Sequence, residues 1–160
     1  MKKIKLFTDS SVNPQEKIGF GAFLFLDEKN ISLEEMRKNI KIKRFENTSS
    51  TKLELQTFLW ALNEINDKDT IIEVYTDCQN IIGLQDRRKK LEKNNFHSLA
   101  GKLMNNHELY KDFFEKIDKL NLTFIKVKGH KKNSLKDEID TIFNLVDKAS
   151  RNALRENILI

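Results

Sequence analysis

The stretch Ile4-Lys5-Leu6-Phe7-Thr8-Asp9 ends an apolar strand on a carboxylate, and Ile71-Ile72-Glu73-Val74-Tyr75-Thr76-Asp77 does the same. Two further acids lie on apolar helical stripes: Glu54 heads one stripe and Asp147 interrupts another. Carboxylates at the edge of a core lose hydration energy unless a positive charge offsets that loss. Divalent cations that prefer oxygen ligands are natural partners for such a set. These acids therefore predict a metal site built from four separate elements.

The composition is that of a soluble globular chain of 160 residues, with 39% hydrophobic and 33% charged residues. This length suits one domain over residues 1–160, and one Pro and five Gly leave no Pro/Gly-rich linker to divide it. The formal net charge of +5, together with an acidic metal site, favours a polyanionic partner such as nucleic acid. Cys78 is the only cysteine, so no intrachain disulfide can form. We expect no signal peptide, no membrane-spanning segment and a cytoplasmic location.

Hydrophobic patterning predicts three strands near the N-terminus, at residues 3–9, 19–26 and 40–45. Their closeness in sequence favours an antiparallel meander. Two later strands are predicted at 71–77 and 122–127, each preceded by helical segments, and such β-α-β connections favour parallel pairing. The predicted fold class is therefore α/β, with a mixed five-stranded sheet of three antiparallel and then two parallel strands and with helices on its faces.

Helical spacing of apolar residues predicts a helix behind Glu54, a second around 81–91 and a short segment around 97–104. Two more helices are predicted at 109–120 and at about 137–156. The first helix has three candidate N-terminal caps, Ser49, Ser50 and Thr51. The second carries a basic face made of Arg87, Arg88, Lys89, Lys90 and Lys93.

Five short blocks surround these acids in order along the chain. They are Phe7-Thr8-Asp9-Ser10-Ser11, Ser50-Thr51-Lys52-Leu53-Glu54-Leu55, Tyr75-Thr76-Asp77-Cys78-Gln79, Val127-Lys128-Gly129-His130 and Asn144-Leu145-Val146-Asp147-Lys148-Ala149-Ser150-Arg151. Any one block is weakly informative, but all of them in this order, each on its predicted element, form a strong signal. Together they resemble the type 1 ribonuclease H family over nearly the whole chain.

The resemblance implies a metal-dependent endonuclease that hydrolyses the RNA strand of RNA–DNA hybrids and leaves a 5′-phosphate and a 3′-hydroxyl. Two Mg²⁺ ions roughly 4 Å apart would bind with substrate, and Mn²⁺ is a possible substitute. By this resemblance Asp9 and Asp77 contribute ligands from adjacent parallel strands, Glu54 from the first helix and Asp147 from the last. His130 would assist proton transfer or product release. Without metal, the acids should repel one another and have raised pKa values.

The resemblance also implies how substrate is held, since the family distinguishes RNA from DNA through contacts to 2′-hydroxyl groups. The corresponding positions here are Asn13, Ser50, Thr51 and Gln79. The basic run that includes Arg87 and Arg88 would hold the backbone of the other strand, although such a run is more often a solvated helix face. An RNA–DNA hybrid is the expected partner, and we expect the protein to be a monomer.

The sequence departs from the family pattern at several positions. Ser10 replaces the Gly that follows the first Asp, and hydroxyl residues replace an Asn pair before the helix acid. The family's basic protrusion, a helix broken by Gly and flanked by Trp, is not recognisable, because the only Trp is Trp60 inside the first helix. Asp140 and Asp147 would share one helical face, so either can supply the fourth ligand. We favour Asp147 because its flanking residues match the family's helix.

Two other hypotheses are compatible with the sequence. Ribonuclease H-like nucleases that act on DNA or another nucleic acid use related carboxylate sites. Among them, proofreading exonucleases carry a second acid at the position of Ser11, and transposases need additional DNA-binding domains. The remaining hypothesis is a non-catalytic module that binds hybrids, which the loss of a ligand acid would favour. All the expected ligand acids are present in this sequence.

Overall fold

β1 (Lys2–Asn13) lies at the centre of a five-stranded mixed sheet. The computed structural model describes residues 2–27, 31–65, 69–128 and 137–158. The other strands are β2 (Ile18–Leu26), β3 (Lys41–Glu46), β4 (Thr70–Thr76) and β5 (Asn121–Lys126), in the spatial order β3-β2-β1-β4-β5. β2 pairs antiparallel with β1 and with β3, whereas β4 pairs parallel with β1 and with β5. The predicted α/β class and the mixed five-stranded sheet are confirmed.

The helices of the described residues connect and cover these strands. They are α1 (Leu33–Asn39), α2 (Ser50–Asn63), α3 (Gln79–Leu84), α4 (Arg88–Lys93), α5 (His107–Lys119) and α6 (Glu138–Ile158). A 3₁₀ turn, Gln85–Arg87, joins α3 to α4, so the single helix predicted around 81–91 is divided. Of the three candidate caps of α2, Ser49 takes that role by accepting a hydrogen bond from the backbone N of Lys52 at 3.4 Å. Within the described ranges, no helix is both long and apolar enough to cross a membrane.

Helix α1 corrects the predicted connection between the second and third strands, where the patterning indicates no element. Ser32 caps this helix by accepting a hydrogen bond from the backbone N of Glu35 at 3.1 Å. Acidic residues in the first turn and basic residues in the last turn favour a helix through its dipole. Met36 is the only residue that α1 buries, so the helix lacks the apolar repeat on which a sequence prediction depends.

The short helix predicted around 97–104 is wrong, because the backbone reverses direction there. Asn95 and Phe96 have positive φ angles of 49° and 61°, which end α4, and Gly101 has a φ of 80°. Between these turns, His97 and Leu103 form an isolated antiparallel bridge. Positive φ is uncommon for residues other than glycine, so composition gives little warning of such a turn.

The sheet separates two apolar cores. Successive residues of a strand face opposite sides, so Leu6 and Phe7 of β1 enter different clusters. Leu6 packs in the cluster that contains Phe58 of α2, together with side chains of α5. Phe7 packs in the cluster of α6, where its ring stacks on that of Tyr75 with centroids 4.8 Å apart. The helices α2 and α6 are thereby fixed on opposite faces of β1.

Candidate active site

The carboxyl ends of β1 and β4 form the edge at which two of the predicted acids lie. The last parallel pair between these strands joins Phe7 to Tyr75. β1 continues past this pair, where Asp9 is paired with Ala22 of β2. Asp77 follows directly after the end of β4. Because parallel strands end at the same edge of a sheet, both carboxylates are presented there.

Close packing of α2 on β2 places Glu54 at the same edge. A Cβ atom on Gly19 would lie 2.4 Å from Cδ2 of Leu53, and one on Gly21 would lie 2.1 Å from Oγ1 of Thr57. Only glycine at these two positions leaves room for the helix at this distance. Glu54 lies between the two contacting residues in the sequence of α2, so its position depends on the approach that the glycines permit.

Asp9, Glu54 and Asp77 converge on one small volume. One carboxylate oxygen from each residue lies within 4.8 Å of the other two. Asp9 is buried with 5% exposure, Glu54 is half-buried and Asp77 is exposed. The cluster is therefore closed by the sheet on one side and accessible from solvent next to Asp77. The structure brings these three predicted residues together, and their role as ligands stays a prediction.

Asp147 of α6 reaches the same cluster from the other face of the sheet. Its side chain lies close enough to that of Asp9 to contribute to the raised pKa of Asp9. Arg151, one helical turn later, contacts Oδ2 of Asp147 at 2.9 Å. This ion pair offsets part of the negative charge at the outer edge of the cluster.

Asp140 has a different local role from Asp147. Its Oδ2 accepts a hydrogen bond from the backbone N of Asp137 at 3.2 Å, and its own backbone N donates to Oδ1 of Asp137 at 2.9 Å. Reciprocal bonds of this kind satisfy backbone groups at the start of a helix. Of the two acids that the sequence offers as the fourth ligand, Asp147 is the one that the structure places beside Asp9.

Two of the clustered acids, Asp9 and Glu54, have strongly altered proton affinities. Burial, followed by the charge of nearby Glu54, raises the pKa of Asp9 from 3.8 to about 10. Burial also raises the pKa of Glu54 from 4.5 to about 7, with further contributions from Asp77 and Asp147 and an opposing hydrogen bond from Ser10. The predicted direction of these pKa changes is confirmed. Negative charge at this point is unfavourable until a cation binds there.

The residues present fit a hard divalent cation. Carboxylate oxygens are the ligands that Mg²⁺ and Mn²⁺ prefer, and those of Asp9, Glu54 and Asp77 are close enough together to share one. Oε2 of Glu54 is buried and has no hydrogen-bond partner among the described residues. A buried carboxylate oxygen without a partner is costly, and a metal ion would satisfy it.

Residues predicted to contact RNA lie at two places near the acids. Ser50 and Thr51 are exposed in the first turn of α2, N-terminal to Glu54. Asn13 ends β1, and its Oδ1 accepts hydrogen bonds from the backbone N atoms of Gln15 at 3.1 Å and Glu16 at 3.3 Å. The Asn13 oxygen therefore stabilises the turn between β1 and β2.

Gln79 and Arg87 lie on the far side of Asp77. Gln79 begins α3, and its Oε1 accepts a hydrogen bond from Nζ of Lys126 at 2.7 Å. Arg87 is exposed, and its Nη2 donates to Oδ1 of Asn80 at 2.6 Å. The side chains of Gln79 and Arg87 are thus positioned by Lys126 of β5 and Asn80 of α3.

Arg88 differs from Arg87 because its guanidinium group is engaged by two carboxylates. Nη1 and Nη2 donate to the two oxygens of Asp118 at 2.6 and 2.8 Å, and Nε donates to Glu92 at 2.8 Å. Its guanidinium also lies 5.0 Å from the ring centroid of Phe114. Arg88 therefore links α4 to α5, an interaction across the fold that the basic run in the sequence does not reveal.

Two further residues complete the comparison with the sequence. His130, predicted to assist proton transfer, lies outside the described residues. Ser10 belongs to the site although the sequence indicates it only as a departure from a family pattern. Its side chain lowers the pKa of Glu54 by stabilising the charged carboxylate. The available signal was a hydroxyl residue next to the first acid, at a position where the family has glycine.

Comparisons with known proteins agree with this fold. A model of the RNase H family matches residues 1–153. A ribonuclease H of Clostridium botulinum (strain Hall) is 30% identical over 148 residues, which cover 90% of this chain and 95% of that protein. A ribonuclease H of Caldicellulosiruptor saccharolyticus is 29% identical over 163 residues, covering 98% and 99%. The chain belongs to the RNase H family. The predicted family and the predicted enzyme class, ribonuclease H, are confirmed.

Solved structures with little sequence similarity share the same fold. LC9-RNase H1, described as a type 1 RNase H with the type 2 active-site motif, matches with a TM-score of 0.69 at 14% identity, covering 95% of this chain and 72% of that chain. The RNase H domain of PFV matches with a TM-score of 0.69 at 14% identity, covering 94% and 92%. At these identities the likeness establishes the fold alone.

Proposed function

We propose that this protein hydrolyses the RNA strand of RNA–DNA hybrids and leaves a 5′-phosphate and a 3′-hydroxyl. The observation that carries the proposal is the convergence of Asp9, Glu54 and Asp77 within 4.8 Å in a chain of the RNase H family. A foamy viral protease-reverse transcriptase solved in complex with an RNA/DNA hybrid matches this fold with a TM-score of 0.65 at 9% identity, covering 94% of this chain and 19% of that chain. The formal charge of +5 also suits a polyanionic substrate.

Asp9, Glu54, Asp77 and Asp147 would hold two divalent cations, with Mg²⁺ as the proposed pair and Mn²⁺ as a substitute. When bound, these ions would supply a more acidic water and neutralise charge on the scissile phosphate. The protein's part is to hold the carboxyl groups close together at an open edge, where binding of the cations would favour their ionised form. Arg151 would keep Asp147 in position, since the two side chains are 2.9 Å apart.

Substrate contacts would come from both sides of the acidic cluster. Ser50 and Thr51 offer exposed hydroxyl groups that can bond a 2′-hydroxyl, and Asn13 can offer its amide NH₂ because its oxygen is used in the turn. Gln79 would approach from the other side, positioned by its hydrogen bond with Lys126. These contacts would recognise the RNA strand at the 2′-hydroxyl groups.

The other strand would lie along the basic segment of α4. Arg87 is exposed and can approach a phosphate directly. Arg88 would act mainly by fixing α4 against α5, because Asp118 and Glu92 already occupy its donors. His130 would assist proton transfer or product release, as the family resemblance implies. A monomer in the cytoplasm is the proposed working form.

The test is cleavage of labelled RNA–DNA hybrid, duplex DNA and duplex RNA of one sequence, each with and without Mg²⁺. We expect cutting of the hybrid only, in the RNA strand and only with metal. Cutting of duplex DNA would replace the proposal with a DNA nuclease, and retention of hybrid without cutting would replace it with a binding module.

A matched pair of variants separates the site from a general effect of charge. Asp77→Asn should abolish cleavage, because it removes an exposed member of the cluster without filling space. Asp112→Asn makes the same change on α5, where the carboxylate forms only a 3.7 Å pair with Lys116, and should leave cleavage unchanged. Full activity of Asp77→Asn would contradict the proposed site.

A further inference from the structure

Ser10 occupies a position from which its side chain can act on the acidic cluster. Ser10 is paired across the sheet with Gly21, and paired residues of neighbouring strands project to the same face. That face is the one on which α2 lies, since a Cβ on Gly21 would meet Oγ1 of Thr57 at 2.1 Å. The hydroxyl of Ser10 therefore faces the helix that carries Glu54, close enough to lower the pKa of the Glu54 carboxyl group by stabilising its charged form.

We propose that Ser10 is a positioning residue that fixes the Glu54 carboxylate for metal binding. In this role the hydroxyl would donate to one carboxylate oxygen and restrain the rotation of the group, while Oε2 stays buried without a hydrogen-bond partner among the described residues. A carboxylate held at one oxygen presents the other in a defined direction. Loss of a partner that orients a ligand in this way typically costs about 10–100-fold in metal affinity.

The geometry explains why a serine is effective here. The close approach of α2 depends on Gly19 and Gly21, and it brings the helix near enough for a short side chain on β1 to reach Glu54. Glycine at position 10 would leave the carboxylate without this donor. Alanine would fill the same space without a hydroxyl, whereas threonine would keep the hydroxyl and add one methyl group.

This inference rests on the proposed function, because it assumes that Glu54 binds a metal ion. Mn²⁺ binding to the full chain without nucleic acid, measured by isothermal titration calorimetry, tests both separately. If the unaltered protein takes up no Mn²⁺, the proposed metal site itself is contradicted. If it binds Mn²⁺ and Ser10→Ala binds equally well, the role of Ser10 alone is contradicted.

The expected result is a loss of affinity of about 10-fold in Ser10→Ala and in Ser10→Gly. Ser10→Thr should bind within about 2-fold of the unaltered protein, because the hydroxyl donor is kept. Weak binding by Ser10→Thr equal to that of Ser10→Ala would show that the hydroxyl is not responsible. In cleavage of hybrid, Ser10→Ala should require more metal for half-maximal rate while its KM for hybrid at saturating metal stays the same.

Ser32→Ala is the matched control for loss of a structural hydroxyl. Ser32 caps α1 away from the acids, and its removal should lower stability by about 1 kcal/mol without changing Mn²⁺ affinity. Thermal unfolding in EDTA then distinguishes the two serines. An affinity loss in Ser32→Ala as large as that in Ser10→Ala would mean that stability, not orientation of Glu54, controls the site.

Discussion

Replacing Asp9 with Asn should stabilise the metal-free protein at pH 8 while abolishing its cleavage activity. Burial raises the pKa of Asp9 from 3.8 to about 10, and the charge of Glu54 adds to that rise. An acid with a raised pKa binds its proton more tightly in the folded state, so it favours folding most below the unfolded pKa. That contribution is lost as the pH rises above about 4, where the unfolded chain can ionise and the folded chain resists it.

The size of the effect can be bounded from the neighbouring acid. Burial raises the pKa of Glu54 from 4.5 to about 7, and one pKa unit corresponds to about 1.4 kcal/mol, so this group alone disfavours the folded state by about 3 kcal/mol above pH 7. The pKa of Asp9 is raised further, from 3.8 to about 10, so the destabilising effect of its charge extends over a wider pH range. Part of the gain from removing that charge is offset because the buried amide of Asn also needs a hydrogen-bond partner. We therefore expect a gain of about 3 kcal/mol, which for a chain of this size raises Tm by about 6–12 °C.

Thermal unfolding followed by circular dichroism in EDTA at pH 8 and at pH 4 is the assay. The difference in Tm should be large at pH 8 and nearly absent at pH 4, where Asp9 is protonated in the folded state and partly protonated in the unfolded chain. Added Mg²⁺ should stabilise the unaltered protein and not Asp9→Asn, because only the former keeps the full ligand set. Asp112→Asn controls for loss of one surface charge. An unchanged or lower Tm for Asp9→Asn in EDTA at pH 8 would refute the electrostatic account of the site.

Three further predictions concern other residues of the protein. Asp147→Asn should abolish hybrid cleavage, whereas Asp140→Asn should keep both cleavage and the cap of α6, because the amide oxygen of Asn can still accept from the backbone N of Asp137. The reverse pattern in a cleavage assay would assign the fourth ligand to Asp140. His130→Ala should lower kcat by about 10²-fold without eliminating turnover. An unchanged kcat in multiple turnover would remove this residue from the catalytic cycle, and an unchanged single-turnover rate with a lowered kcat would assign it to product release. Gly21→Ala should destabilise the protein by about 1–3 kcal/mol in denaturant unfolding, because the added Cβ would clash with Thr57. Adding Thr57→Ala to this variant should recover part of the lost stability. No recovery would argue against this contact.

The strands and the acids at their ends were predictable because they depend on local patterns. The runs that end at Asp9 and Asp77 are apolar and bounded by polar residues, and each run forms a strand in the structure. The order of strands and helices then limits the topology to a mixed sheet, in which the two acids share an edge. For these residues the chemistry could be inferred before any coordinates were available.

Other parts of the site depend on contacts between distant segments. Glu54 reaches the cluster because Gly19 and Gly21 allow α2 to pack close to β2. The sequence around a glycine in a strand does not indicate which helix will pack against it. Arg88 belongs to a basic run in the sequence, yet it binds Asp118, thirty positions later. The turn after α4 depends on a positive φ at Phe96, a conformation that its side chain gives no reason to expect.

The acids of this chain show why proton affinity distinguishes a ligand site from a structural ion pair. Asp118 is exposed, and a hydrogen bond from Arg88 lowers its pKa, so its charge is compensated within the protein. For Asp9, burial and the neighbouring carboxylates, Asp147 among them, raise the pKa. Arg151 contacts Asp147 and not the buried centre of the cluster. A divalent cation at the open edge beside Asp77 would compensate the charge that Asp9 and Glu54 carry when they are ionised.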